Sequence, residues 1–210
     1  MKFDKTIVSD EFICNALYGI RHSFDSEDKS DTYCCDGVFG FGPNDKQLAS
    51  RLKKAGPSHR KFLRQIPVSV DITTSLEIWK QLDTYKVGTV ANSTSTMHTV
   101  TKYPFTLDMF DTETMSDAGK IILLNHIRDL NMLRDKYLAS DKKDTATWYD
   151  IIGLLPESWN QTRMWTANYE VIKTICEQRK GHKMPQWKAF IEWAHTLPFA
   201  DILIFDEDAA

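Results

Sequence analysis

Two periods of hydrophobic and polar residues run along this chain, one typical of a helix and one of a strand. From Asp117 to Ala139, apolar residues recur every three or four positions, which predicts one buried face of a long helix. That predicted face consists of Ile121, Leu124, Ile127, Leu130, Leu133 and Tyr137. Between Val68 and Ile72, β-branched residues alternate with polar ones, which predicts a half-buried strand.

Helix start and stop signals predict several shorter helices. Asn44 and Asp45 precede one helix and Gly56 ends it, because Asn and Asp accept bonds from the first-turn N–H groups and glycine tolerates a left-handed exit. Thr74 and Glu77 have the spacing of a capping box, which predicts another helix just after the strand. The helix that follows Asn44 and Asp45 is predicted to cover residues 46–55. Three further helices are predicted at residues 145–155, 168–179 and 186–195.

These elements predict an α+β fold, a compact single domain over residues 1–210 with a small mixed or antiparallel sheet and several helices, one of them long. The segment 80–86 follows the capped helix, and a loop after it would present Asn92 and Ser95. Gly37, Gly40 and Gly42 do not have the spacing of a dinucleotide-binding loop, so residues 37–42 are predicted to be a loop or a hairpin.

Composition narrows the function classes. The chain has 210 residues, and its 26 Lys and Arg nearly balance its 29 Asp and Glu, so we expect no nucleic-acid partner. No apolar run is long enough to span a bilayer and no signal peptide is visible, so we expect no membrane partner and a cytoplasmic location. The four cysteines lack metal-ligand spacing, so we expect no metal and interpret them as reduced structural thiols.

The most specific motif lies in the C-terminal third. Leu155-Pro156 is followed by Trp165-Thr166-Ala167-Asn168, then by Arg179 eleven residues after Asn168, and then by Gln186-Trp187. This spacing resembles the C-terminal signature of flavin-dependent thymidylate synthases. Weaker likeness to that family covers residues 19–24 and 59–81, and therefore most of the chain.

The resemblance implies a fold, an activity and an assembly. Members of that family transfer reducing equivalents from FAD and a methyl carbon from methylenetetrahydrofolate to the pyrimidine deoxynucleotide dUMP. They form homotetramers, with the flavin at a subunit junction. In such an enzyme the cofactors carry the chemistry, and the protein supplies binding, orientation and electrostatics.

The resemblance also assigns candidate site residues. It implies nucleotide binding by Gln81, Ser95 and Arg179, of which Ser95 and Arg179 are the catalytic candidates, and cofactor binding by Ser23, His59, Lys86, Asn92, Asn168 and His182. Simpler interpretations remain open. Arg179 suits the C-terminal end of a helix, Asn168 suits a helix cap, Ser95 lies in a polar run, and the two histidines suit a surface.

Several family positions carry different residues here. The arginine-rich motif of the family falls on residues 85–98, which contain no arginine. Met97 and Ile152 stand where the family has arginines, Tyr149 where it has a glutamate, and Gln65 where it has a histidine near the flavin. Two alternatives to thymidylate synthesis therefore stay open: action on a different pyrimidine nucleotide, and a non-catalytic oligomeric nucleotide-binding protein that has lost the flavin site.

Overall fold

A computed structural model describes residues 1–35 and 37–206. The helices are α1 (Asp10–Gly19), α2 (Pro43–Lys54), α3 (Leu76–Leu82), α4 (Thr96–Thr99), α5 (Asp117–Ala139), α6 (Thr145–Gly153), α7 (Tyr169–Arg179), α8 (Pro185–His195) and α9 (Ala200–Leu203). The strands are β1 (Lys2–Ile7), β2 (Tyr33–Cys35), β3 (Val38–Gly40), β4 (Pro67–Ser75), β5 (Val90–Ser93) and β6 (Asn160–Asn168). Short 3-10 turns lie at His22–Phe24, Glu27–Lys29, Arg60–Gln65 and Leu107–Met109.

The strands form two small sheets. One has four strands in the order β1-β4-β6-β5, and the other is the antiparallel hairpin of β2 and β3, in which Cys34 faces Phe39. The α+β class and the small sheet are therefore as predicted. Residues 37–42, predicted to be a loop or a hairpin, contain the second strand of the hairpin, Val38–Gly40. Within residues 1–35 and 37–206, no helix combines the length and the apolar character that crossing a bilayer requires.

The chain divides into two compact units. The first comprises residues 1–2, 72–84 and 92–163, and the second comprises residues 3–71, 85–91 and those from Met164 onward. Strands β4 and β6 each contribute residues to both units. The single domain over residues 1–210 stays a prediction.

The first unit has its core along α5, whose predicted bounds are confirmed. Leu123, Ile127 and Leu130 are buried there against Phe105, Phe110 and Ile151, among others. The predicted face is wrong at its start, because Ile121 is 60% exposed and Leu124 is 48% exposed. The buried face begins at Leu123, so α5 carries a second set of apolar side chains that its own unit leaves uncovered.

The second unit has an aromatic core. Trp187, Phe190 and Tyr169 are fully buried, and the rings of Phe3 and Trp193 stack with centroids 4.7 Å apart. The Tyr169 hydroxyl donates a hydrogen bond to the carbonyl oxygen of Pro198, so this buried phenol is satisfied.

Two predicted helix starts are wrong, and tertiary contacts explain both. Helix α2 begins at Pro43 after Gly42, and Asp45 is a buried residue within the helix rather than its cap. Helix α3 begins after Ser75, whose side chain makes no capping bond. Its first two free N–H groups, on residues 76 and 77, donate to the carbonyl oxygens of Trp159 and Glu157 instead.

Thr74, the predicted cap, is instead a buried strand residue whose hydroxyl has no hydrogen-bond partner, while the Thr73 hydroxyl lies 2.7 Å from that of Thr162. Removing an unpaired buried hydroxyl relieves a desolvation cost. We therefore expect Thr74→Val to leave the free energy of unfolding unchanged or to raise it by up to about 1 kcal/mol. The matched Thr73→Val should lower it by about 1 kcal/mol, since a made bond is lost. Urea denaturation tests this. A decrease of about 0.5–2 kcal/mol in the free energy of unfolding of Thr74→Val alone would support the predicted capping box instead.

Candidate functional site

Ser23 and His59, two predicted cofactor residues, line the same pocket in the second unit. The pocket has a volume of about 600 Å³ and lies between the end of α1 and the 3-10 turn at Arg60–Gln65. Gln65, which stands where the family has a histidine near the flavin, lines it as well. Both Ser23 and His59 are exposed, so their polar atoms are accessible from solvent.

A buried ion pair supports the turn that carries Ser23. The Arg21 Nε donates to Asp45 Oδ1 at 2.7 Å, and both side chains are almost wholly buried. Burial alone would raise the pKa of Asp45, but hydrogen bonds from Ser30, Arg21 and Thr32 outweigh that effect and hold the pKa below its ordinary value. The charged pair therefore persists at neutral pH and fixes the chain next to the pocket.

The pocket combines cationic, hydroxyl and apolar walls. Lys61 and Arg64 contribute positive charge, and Ser58 contributes a second hydroxyl. The apolar walls are formed by Ile20, Phe24, Leu52 and Phe62. Such a donor set suits a ligand that has both an anionic group and a planar apolar part. The sequence analysis did not identify Lys61 and Arg64 as site residues. Both follow His59 closely in the sequence, so their positive charge near a cofactor candidate was the available signal.

Asn168 and the segment 85–91 lie together at the start of α7. The Asn168 Oδ1 accepts the N–H of Val171 at 3.1 Å, so the side chain caps the helix. Gly88 comes close to it, since a Cβ on Gly88 would lie 3.0 Å from the Asn168 Nδ2. Lys86 is exposed in the same segment. The capping interpretation of Asn168 is confirmed, and its contact with a flavin stays a prediction.

Arg179 is the last residue of α7 and makes specific contacts there. Its Nε donates to the Tyr85 hydroxyl at 3.1 Å, and its guanidinium lies over the buried Trp187 ring at 4.4 Å. His182 is exposed, with its ring centroid 6.1 Å from that of Trp187. Arg179 therefore has a fixed orientation, which a simple helix-end cation would not need.

Gln81, Asn92 and Ser95 belong to the first unit. Gln81 lies in the last turn of α3, and Ser95 directly precedes α4, with a hydroxyl that makes no capping bond. The expectation that a loop presents Asn92 is wrong, because Asn92 is an exposed residue of β5. Strand pairing determines that placement, since the neighbouring Thr94 N–H donates to the carbonyl oxygen of Thr162.

Ile152, Met97 and Tyr149 stand at positions where the family has arginine or glutamate, and here they are either packed against the core or exposed. Ile152 packs against the apolar core of the first unit. Met97 is 48% exposed and Tyr149 is 65% exposed. Neither methionine nor isoleucine provides a cation for phosphate. In the part of the chain that the structure describes, no group of three His, Cys, Asp or Glu side chains could hold a metal ion.

Comparison with known proteins identifies the fold. No protein-family model and no curated protein matches the chain by sequence. The chain is similar to two crystal structures of the flavin-dependent thymidylate synthase ThyX from Helicobacter pylori, both with FAD and dUMP. The first has a TM-score of 0.70 at 16% identity over 99% of both chains, and the second has 0.67 at 15% over 97% of both. The resemblance inferred from the sequence is therefore confirmed at the level of the fold.

Gly88 provides a test of how the segment 85–91 contacts α7. Its φ is +80°, and Gly181, at φ +71°, has no atom within 4 Å of its own added Cβ. We expect Gly181→Ala to cost about 1–2 kcal/mol in stability from backbone strain alone. Gly88→Ala should cost at least about 1 kcal/mol more, because its Cβ also presses on Asn168 and disturbs the cap. Equal costs in urea denaturation would mean that the segment is not held against α7.

Proposed function

We propose that this protein is a flavin-dependent thymidylate synthase-like enzyme. It methylates a pyrimidine deoxynucleotide, as in the conversion of dUMP to dTMP, with FAD and methylenetetrahydrofolate as cofactors. The observation that carries the proposal is the pocket containing Ser23 and His59, in a chain whose fold matches that of ThyX over nearly its whole length.

The residues of this pocket fit a flavin dinucleotide. Lys61 and Arg64 would hold its phosphates, Ser23 and His59 would donate hydrogen bonds, and the apolar wall with Phe62 would cover a ring. When bound, the flavin supplies the redox chemistry of the methyl transfer. Lys86, Asn92, Asn168 and His182 are further proposed cofactor contacts.

For the nucleotide we propose Gln81, Ser95 and Arg179, as the family resemblance implies. Ser95 has a hydroxyl that is not used as a cap, and Arg179 has a permanent charge in a fixed orientation. A guanidinium is suited to bidentate recognition of a phosphate or a pyrimidine edge. Ser95 and Arg179 are the proposed catalytic residues because they would contact the substrate.

One observation favours the alternatives. Ile152 is used for core packing and Met97 carries no charge, so the chain lacks two cations that hold the nucleotide in the family. A related enzyme that acts on a different pyrimidine nucleotide would follow from changed recognition at these positions. A non-catalytic oligomeric nucleotide-binding protein would follow if the flavin pocket were empty in the native protein.

Titration of the flavin-free protein with FAD tests the proposal. We expect binding, and we expect Arg64→Ala to weaken it by about 10- to 100-fold, or about 1.5–3 kcal/mol, because a charge-assisted hydrogen bond to phosphate is lost. The matched control is Arg51→Ala, which removes an exposed arginine of α2 that does not line this pocket. Flavin fluorescence reports the affinity. A protein that stays flavin-free at millimolar FAD would contradict the enzyme and support the non-catalytic alternative.

The exposed apolar side chains of the first unit support a homotetramer. Six of them lie on α5 and at α6, namely Ile121, Ile122, Leu124, Met132, Tyr149 and Leu154. Exposed apolar side chains on two helices that pack together are typical of a protein interface. We expect a tetramer by light scattering at micromolar concentration, and a smaller species for Ile122→Lys because a charge would be buried in the contact.

The control for this variant is Asp135→Lys, which also adds positive charge to α5, at a position where the side chain is 73% exposed and pairs with the mostly buried Arg134. It should leave the assembly unchanged. A stable wild-type monomer, or equal dissociation of the two variants, would mean that α5 does not form the interface.

A further inference from the structure

Arg163 of β6 makes an unusually complete set of contacts within the first unit. Its guanidinium lies 4.3 Å from the centre of the Trp79 ring, and its Nη1 lies 3.1 and 3.2 Å from the two carboxylate oxygens of Asp83. Its Nε donates to Gln161 Oε1 at 2.9 Å. The Arg163 side chain is only 17% exposed, whereas that of Asp83 is 51% exposed, so the guanidinium is largely buried and its ion pair lies at the surface. One planar group thus joins the end of α3 to β6.

Gln161 extends this connection to the residues on either side of Ser95. Its Nε2 donates to the carbonyl oxygen of Thr94 at 2.9 Å and lies 3.4 Å from the Thr96 hydroxyl. The backbone carbonyl oxygen of Gln161 accepts the Trp79 indole N–H at 2.8 Å. The Gln161 side chain therefore has its oxygen held by Arg163 and its nitrogen directed at the Ser95 segment.

The Ser95 segment, residues 93–100, is held locally through its backbone, since the Ser95 carbonyl oxygen accepts the N–H groups of His98 and Thr99, but not through the Ser95 side chain. Helix α4 has only four residues, and the Ser95 hydroxyl does not cap it. On the other side, Asp83 is the C-terminal cap of α3, two residues after Gln81, with its N–H bonded to Trp79 O. The path from Asp83 through Arg163 and Gln161 thus connects the two nucleotide candidates of this unit.

We propose that Arg163 and Gln161 are positioning residues that set Ser95 against the Gln81 end of α3 for nucleotide binding. This role rests on the proposed function. Arg163 acts through Gln161 and not by contact with the nucleotide. A lysine cannot replace it, because an ammonium lacks the planar fork that bonds Gln161 and Asp83 while stacking on Trp79.

Two measurements on Arg163→Met test the proposal. Hydrogen exchange of a peptide covering residues 93–100 should become faster by about ten-fold, since local opening no longer breaks the Gln161 bonds. The affinity for dUMP should fall by about ten-fold while the affinity for FAD is unchanged. Arg163→Lys should recover less than half of either effect. A purely structural role would instead speed exchange in every peptide of the unit.

The matched control is Lys80→Met, which removes a cation from the same helix, where it pairs with Glu157 on the surface and does not reach the Ser95 segment. It should change neither measurement. If Arg163→Met does not fold, Gln161→Leu serves, because it removes only the side-chain bridge and leaves the backbone bond from Trp79.

The outcomes separate this inference from the proposed function. Unchanged exchange over residues 93–100 in a folded Arg163→Met protein overturns the positioning role. A wild-type protein that binds none of dUMP, dCMP and dTMP contradicts the proposed function. The exchange measurement then still decides whether Arg163 holds the Ser95 segment.

Discussion

Acceptor oxygens in residues 157–168 hold the backbone of the elements that carry the nucleotide candidates Gln81, Ser95 and Arg179. The carbonyl oxygens of Glu157 and Trp159 accept the first free N–H groups of α3, and Thr162 accepts the N–H of Thr94 next to Ser95. At the other end of the segment, the Asn168 side chain caps α7, which ends at Arg179. Each bond satisfies a backbone N–H group that would otherwise lack a partner.

Much of the fold was readable from local pattern. The bounds of α5 and the alternation of β4 follow from hydrophobic period, and Asn168 was foreseen as a possible cap, because these signals arise from neighbours within one turn or one strand. The pairing of Ser23 with His59 in one pocket was not readable from pattern. The family resemblance assigned both residues to cofactor binding but did not place them in one pocket, and 36 positions separate them.

The failures share a physical cause, which is competition from distant groups. The predicted caps at Thr74 and Asp45 are absent because the carbonyl oxygens of Glu157 and Trp159, just before β6, accept the first N–H groups of α3, and because Asp45 pairs with Arg21 in the interior. Ile121 and Leu124 satisfy the helical period as well as Leu123 does, and only the packing of α5 decides which are buried. Similarly, no local signal indicates that Arg163 stacks on Trp79, 84 positions earlier.

Hydrogen exchange with and without FAD tests most directly whether the proposed pocket, which contains Ser23 and His59, binds a flavin. We expect FAD to slow exchange in peptides covering residues 19–24 and 58–65, where Ser23, His59 and Arg64 line the pocket, and not in one covering residues 121–132 of α5. Exchange that FAD leaves unchanged in both pocket peptides would contradict the account.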